Sequence, residues 1–217
     1  MTPIYHITHF DNLSTILKRG GLVCDAESAR RGLCKQSIAH ASIKERRAST
    51  FVTQRDGSAV GAGGMLADYV PFYFAVRSPM LYAIHKGAVA DYTGGQASVV
   101  YLVSSVEAVA QTDLSWCFTD GHAVEGMTEF YGSLADLAKI DQKAVQTWRW
   151  GGKWLLQDPD VKRRKQAEFL VHQRFPWELI SEIGVYEGGI RGRVEDLLDS
   201  VTHRPRVAIR TDWYYNS

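Results

Sequence analysis

One carboxylate stands out by its setting. Glu168 follows the run Lys162-Arg163-Arg164-Lys165 and lies between Ala167 and Phe169-Leu170-Val171. Apolar surroundings raise a carboxyl pKa and basic neighbours lower it. A carboxylate held at the mouth of an apolar site could act as a general base or grip a ribose hydroxyl. The plainer alternative is an ion pair with Lys165 or Arg164. His6 and Thr8 alternate along the N-terminal segment and so share one face of a strand. Both side chains donate and accept hydrogen bonds, which suits a ribose or a carboxamide. A core histidine satisfied by backbone is the competing reading. Arg46 and Arg47 end a helical stretch. Arginine favours bidentate diphosphate recognition, but a cation at a helix C-terminus is also stabilising by itself.

Arg77-Ser78-Pro79-Met80 is a turn at a strand end, with Tyr73 just before it. Functional residues gather at such turns, although packing alone accounts for Tyr73 and Met80. His122 follows Asp120-Gly121 and reads as exposed on that turn. Neither a G-x-S-x-G elbow nor a Cys-His signature is present, so covalent hydrolase chemistry is unsupported. The glycine-rich stretch 53–64 matches neither G-x-G-x-x-G nor the phosphate-loop G-K-[ST], and reads as a mobile loop. The chain has three cysteines with no C-x-x-C, and seven histidines with no H-x-x-x-H. That pattern argues against a zinc site or a disulfide scaffold and for a metal-free protein of a reducing compartment.

These residues need elements to hold them. The pattern predicts strands at 3–8, 69–76, 98–103, 116–119, 180–186 and 206–210. It predicts helices from Asp11 or Asn12 through Leu17, and at 36–48, 79–86, 104–111, 133–148 and 191–200. Residues 22–35 read as loop. With 217 residues, 45% of them hydrophobic and 23% charged, the chain is long enough for its own core. One α+β domain over 1–217 fits a mixture of elements without strict βαβ alternation. No stretch reaches the roughly 20 apolar residues of a membrane span. The N-terminus lacks the basic and apolar regions of a signal peptide, so a cytoplasmic protein is expected.

The net charge of +1 hides an uneven distribution. Residues 18–47 carry eight Lys/Arg against three acids, and 162–165 add four positives in a row. Segregated basic surface can attract a polyanion, although solvated helix faces produce the same pattern. Trp148, Trp150 and Trp154 could stack on bases or pack in the core.

Several strings, taken together and in order, resemble the DarT-type DNA ADP-ribosyltransferase toxins. They are Ile4-Tyr5-His6-Ile7-Thr8-His9 with Asn12-Leu13, Lys44-Glu45-Arg46-Arg47, and Asp68-Tyr69-Val70-Pro71-Phe72-Tyr73-Phe74 with Arg77-Ser78-Pro79-Met80. Phe118-Thr119-Asp120, Gln166-Ala167-Glu168-Phe169-Leu170-Val171 and Asp212-Trp213-Tyr214-Tyr215 complete them. The resemblance implies an ADP-ribosyltransferase-like split mixed β-sheet core with surrounding helices. It implies transfer of ADP-ribose from NAD, a co-substrate, to a base of single-stranded DNA, with thymine as the base. Carried over by position, Glu168 and Arg47 are catalytic. His6, Thr8, Asn12, Leu13, Arg47 and Tyr73 bind NAD. Arg46, Arg77, Met80, His122 and Lys162 contact DNA, Lys162 standing where the family has an arginine. No metal is implied, and a macrodomain antitoxin is the implied protein partner. The alternatives are a transferase of the same fold acting on RNA or protein, and a non-enzymatic single-strand nucleic-acid binding module.

Overall fold

The computed structural model describes residues 1–216. In chain order its elements begin with β1 (Pro3–His9), α1 (Leu13–Lys18), β2 (Gly21–Val23), α2 (Asp25–Arg31) and α3 (Ala41–Ser49). There follow β3 (Tyr69–Tyr73), α4 (Pro79–His85), β4 (Val99–Ser105), α5 (Val106–Ala110), β5 (Trp116–Thr119) and β6 (Phe130–Tyr131). The last third holds α6 (Gln142–Gln146), α7 (Val161–Lys165), β7 (Glu168–His172), β8 (Arg174–Pro176), β9 (Glu182–Val185), α8 (Gly188–Leu198) and β10 (Arg206–Ile209).

Eight strands form one mixed sheet in the order β10-β9-β4-β1-β3-β7-β5-β6, and β2 pairs with β8 in a small second sheet. Among the described residues, only β9 and β10 run parallel. Alternation along β1 sends Ile4 into the main core and packs Tyr5 and Ile7 against a second apolar cluster. β1 pairs with β4 over all seven of its residues, from Pro3↔Ser105 to His9↔Val99. Toward β3 its register contains only Tyr5↔Tyr73. Pro71 has no N–H to offer the ladder, and its carbonyl is taken by the His6 ring instead, at 2.8 Å. The sheet therefore splits between β1 and β3. β3 is paired with β7 along its whole length, which sets Tyr73 opposite Glu168.

The structure departs from the sequence reading in places with clear causes. Segment 22–35 is not loop: it holds most of β2 and all of α2. β2 is specified by its pairing with β8, far away in sequence, and not by local pattern. Gly21 is required there, since at φ +142° an added Cβ would collide with the Phe175 carbonyl. The expected helix 133–148 is two pieces, a 3-10 turn at Leu134–Lys139 and α6, because Asp141 re-caps the chain by accepting from Ala144 N–H. β3 stops at Tyr73, and four residues later Arg77 turns into the left-handed region at φ +55°. Segment 53–64 is pinned rather than open. Thr53↔Ala59 and Phe51↔Met65 bridge it, and Val52 and Val60 are buried.

Candidate active site

Glu168 opens β7 and is 3% exposed. Its backbone N–H donates to Thr119 Oγ1 at 3.0 Å. Oε1 accepts from Ala123 N–H at 3.0 Å and Oε2 from Arg47 Nη1 at 2.7 Å. The alternative pairing with Lys165 or Arg164 does not form. Lys165 is buried and donates to the Val145 carbonyl at 3.0 Å, while Arg164 is committed to Asp141, Asp158 and Asp160.

Arg47 reaches Glu168 from the last turn of α3 and also donates to the Leu66 carbonyl at 3.3 Å. Burial works against its charge, but Glu168 and Asp25 more than offset this and its pKa goes up. Its Nε is buried with no hydrogen-bond partner, Asp25 Oδ2 lying 3.7 Å away. Arg46, about 100° around the helix, faces the other way. Its Nη2 donates to the Val124 carbonyl at 2.7 Å, and Nη1 lies 3.4 Å from Glu125. Arg46 thus braces the loop that offers Ala123 N–H to Glu168. It is not a free cation awaiting a phosphate.

The opposite wall belongs to β1. His6 Nδ1 must carry the proton it gives to Pro71 O, so Nε2 of the neutral ring is an acceptor. Burial lowers its pKa, which keeps the ring neutral near pH 7. Backbone satisfaction and a cleft-facing position therefore hold together for His6. Thr8 Oγ1 accepts from Asn12 Nδ2 at 3.1 Å. The Asn12 side chain does not cap α1. It clamps the segment before α3, accepting from Lys35 N–H at 2.9 Å and Gln36 N–H at 3.0 Å and donating to Gln36 O at 2.8 Å. Leu13 is 1% exposed in the main core, so its side chain does not face the cleft.

Tyr73, Met80 and His122 join Glu168, Arg47, His6, Thr8 and Asn12 in lining one cleft. A second concavity along α1 shares His6, Thr8, Asn12 and Asp25 with it, so the groove is elongated. A larger hollow of about 620 Å³ lies beside β2 and α2, but it contains none of Glu168, Arg47 or Tyr73. Burial, and then Glu168, push the Tyr73 hydroxyl pKa up. His122 corrects the sequence reading. It is not exposed on its turn but largely buried in the cleft, and that burial lowers its pKa.

Arg77 and Lys162 lie outside the cleft lining. Arg77 is partly buried, its Nε has no partner, and Tyr215 Oη donates to its carbonyl at 2.5 Å. Lys162 is exposed on α7. The basic run is therefore not a continuous cationic face. Arg163 is locked to Asp160 at 2.7 Å and Asp120 at 3.0 Å, and Lys162 alone of the four points freely to solvent. Sequence reasoning missed Asp25, Thr119 and the Ala123 N–H. The Phe118-Thr119-Asp120 string held a hint of the second, whereas nothing local marks a backbone donor.

Among the described residues, no group of three or more His, Cys, Asp or Glu is placed to hold a metal. The family described as "ssDNA thymidine ADP-ribosyltransferase, DarT" matches residues 5–215. A DNA ADP-ribosyl transferase of Thermus sp. (strain 2.9) is 46% identical, covering 99% of this chain and 96% of its own. One from Escherichia coli O127:H6 is 34% identical over 98% of this chain and 93% of its own. The structure of Thermus sp. 2.9 DarT in complex with ADP-ribosylated ssDNA superposes with a TM-score of 0.89 at 45% identity, covering 99% of this chain and 96% of that one. The same protein with NAD+ gives 0.83 at 42% identity, covering 99% and 98%. A split mixed sheet with a buried Arg–Glu pair at the split, on these matches, defines an NAD-dependent ADP-ribosyltransferase. Within that class the chain belongs to the DarT family of single-stranded DNA thymidine ADP-ribosyltransferases.

Proposed function

We propose that this chain is a toxin that moves ADP-ribose from NAD to N3 of thymine in single-stranded DNA, at a preferred sequence. The observation that carries the reading is the Arg47–Glu168 pair at the split of the sheet, with Arg47 Nε left as an unused buried donor. An unpartnered buried donor is costly, and an anionic ligand relieves that cost. The residues fit a dinucleotide. Arg47 takes the diphosphate side of the nicotinamide ribose. His6 Nε2 and Thr8 receive hydroxyl or amide groups. Asn12 holds the 35–36 segment against the groove, and Leu13, packed in the core, positions Asn12. Tyr73 and Met80 form the apolar wall beside the nicotinamide.

The C1′–N bond of the nicotinamide ribose breaks, and its electron pair leaves on the nicotinamide nitrogen. Positive charge develops on the ribose, and the Glu168 carboxylate stabilises it. Thymine N3 attacks C1′ and forms the new C–N bond. The N3 proton is weakly acidic, so its removal accompanies attack. Glu168 accepts it and His122, neutral beside it, faces the incoming base. Single strands suit the site because their bases are already unpaired and no duplex-opening energy of a few kcal/mol is required. Met80, His122 and Lys162 meet DNA directly, Arg77 orders the turn before α4, and Arg46 acts through the 122–125 loop.

An enzyme consuming NAD and modifying single-stranded DNA works in the cytoplasm, and among the described residues no helix is long and apolar enough to cross a membrane. A glycohydrolase antitoxin that reverses the modification is the partner this reading implies. A Thermosipho africanus relative, 23% identical, is named as a fusion of the transferase with a DNA ADP-ribosyl glycohydrolase.

The test is mass spectrometry of a mixed-sequence single-stranded oligonucleotide incubated with protein and NAD, beside Glu168→Ala. One ADP-ribose on thymine, absent with the variant, is the expected result. NAD consumption without labelled DNA would redirect the acceptor to RNA or protein. Neither labelling nor consumption would leave a nucleic-acid binding module.

A further inference from the structure

The segment Trp148–Trp154 carries features that the site described above does not use. Trp148 is 65% exposed, an unusual position for the largest apolar side chain. The Arg149 guanidinium lies 5.0 Å from the Trp148 ring and 4.7 Å from the Trp154 ring. Lys153 Nζ lies 5.1 Å over the other indole, Trp154. Gly152, at φ +58°, makes the turn that brings Trp154 back to Arg149. No Asp or Glu occurs between Thr147 and Gln157. Among the described residues neither Arg149 nor Lys153 has a carboxylate within ion-pair distance, whereas the arginines at 46, 47, 163 and 164 are all paired. The result is an exposed ladder of aromatic faces and unneutralised cations.

That ladder is tied to the cleft. Trp150, 8% exposed, packs edge-on against Tyr82 with ring centres 5.3 Å apart. Tyr82 sits on α4, whose Met80 lines the cleft. Tyr82 also packs on Tyr215, whose hydroxyl holds the Arg77 turn. Trp150 is thus the anchor and Trp148 the free face.

We infer that Trp148 and Arg149 form a stacking platform for bases that flank the reacting thymine, so that the strand leaves the cleft across α4. This rests on the transferase reading above. Base–aromatic stacking tolerates any sequence, because every base has a π-face. The cations supply the phosphate attraction that such grooves combine with stacking. The platform therefore adds affinity for longer strands without reading their sequence. Preference for particular neighbours of the thymine must arise inside the cleft.

The test measures KM for single-stranded oligonucleotides that carry one thymine and polycytidine flanks of increasing length on either side. The protein is compared with Trp148→Ala, Trp148→Phe and Arg149→Ala. For the wild type, KM is expected to fall about tenfold as one flank lengthens, the scale of one stacked base by alanine substitution. Trp148→Ala loses that length dependence, Trp148→Phe keeps most of it, and Arg149→Ala weakens it together with its salt dependence. If Trp148→Ala follows the wild-type length dependence while thymine is still modified, the platform is wrong and the transferase reading stands. If the wild type labels no DNA at all, both fall together. The exposure of Trp148 makes its replacement harmless to folding, and an unchanged melting temperature verifies this.

Discussion

Arg47 Nη1 meets Glu168 Oε2 at 2.7 Å, joining residues 121 positions apart at the point where the sheet divides. Both side chains are almost fully buried, so each is the other's main compensation for lost water. A group that removes one therefore strands the other. Catalysis and stability are coupled at this pair, and the two can be separated experimentally.

Arg47→Met is expected to destabilise the fold by about 3–5 kcal/mol, because it leaves a buried carboxylate without its cation. The double variant Arg47→Met/Glu168→Gln is expected to be less destabilised than Arg47→Met alone. Glu168→Gln by itself is expected to cost less stability than Arg47→Met, because Asp25 still faces Arg47, and to lower thymine labelling on the order of a thousandfold. Urea unfolding of the four proteins closes the cycle. Additive effects would show that the pair does not depend on its partner as described.

Thr119, fully buried and outside the cleft lining, places Glu168. Its hydroxyl accepts from Glu168 N–H at 3.0 Å and donates to Gly121 O at 2.7 Å. Thr119→Val is expected to cost about 1–3 kcal/mol, since it leaves a buried N–H unsatisfied. It is expected to lower kcat more than it raises KM for NAD, and Thr119→Ser restores most of the loss. A wild-type kcat for Thr119→Val would remove this positioning role.

The His6 ring is held neutral by burial, with a pKa below the ordinary 6.5. In acid the unfolded chain binds this proton more readily than the folded one, so stability falls as pH drops below about 6.5. His6→Gln retains a donor for the Pro71 carbonyl and cannot titrate. Melting curves from pH 5 to pH 8 are expected to diverge on the acid side, the wild type losing more. Parallel curves would exclude His6 as the source of acid sensitivity.

Lys165 behaves in the same direction at higher pH. Burial first, and Arg77 second, push its pKa from 10.5 down to about 8. Between those values the unfolded chain holds the proton and the folded chain does not, so stability rises with pH. Relative to Lys165→Met, the wild type is expected to gain up to about 3 kcal/mol from pH 8 to pH 10.5. A pH-independent difference between the two would show that Lys165 remains charged in the fold.

Gly121 lies under Arg163, and an added Cβ would strike the guanidinium. Gly121→Ala is expected to break the Arg163–Asp120 pair and loosen the 120–125 loop, lowering activity more than stability. Hydrogen exchange at the Ala123 amide measures that loosening directly. Unchanged protection there would separate this loop from the fall in activity.

Much of the sheet was legible because its signal is local. Residues 99–103, all but the first of the strand expected at 98–103, form an apolar run on β4, whose seven residues are all buried. Period-two spacing put His6 and Thr8 on one face, and both do line the cleft. β2 and α2 were not legible. A three-residue strand has no periodicity to read, and β2 exists because β8 lies beside it. The long helix expected at 133–148 failed for a related reason: Asp141 restarts the chain at a point that composition alone does not mark.

What the sequence determined by itself was chemical capacity and kinship. A glutamate set between cations and an apolar run, two adjacent arginines ending a helix, and a histidine and threonine two residues apart define what the chain can do. Their order along the chain marks the family. The tertiary structure decided which charges meet. Glu168 has Lys165 and Arg164 within four residues, yet its partner is Arg47, brought across by α3, which packs on the turn at Leu66–Asp68 that leads into β3. It also decided that Arg46 braces a loop, that His122 turns into the cleft, and that one of four consecutive cations is free. The reason is physical. A charge's partner and its degree of desolvation depend on three-dimensional neighbours, and topology assigns those neighbours with no regard to distance along the chain.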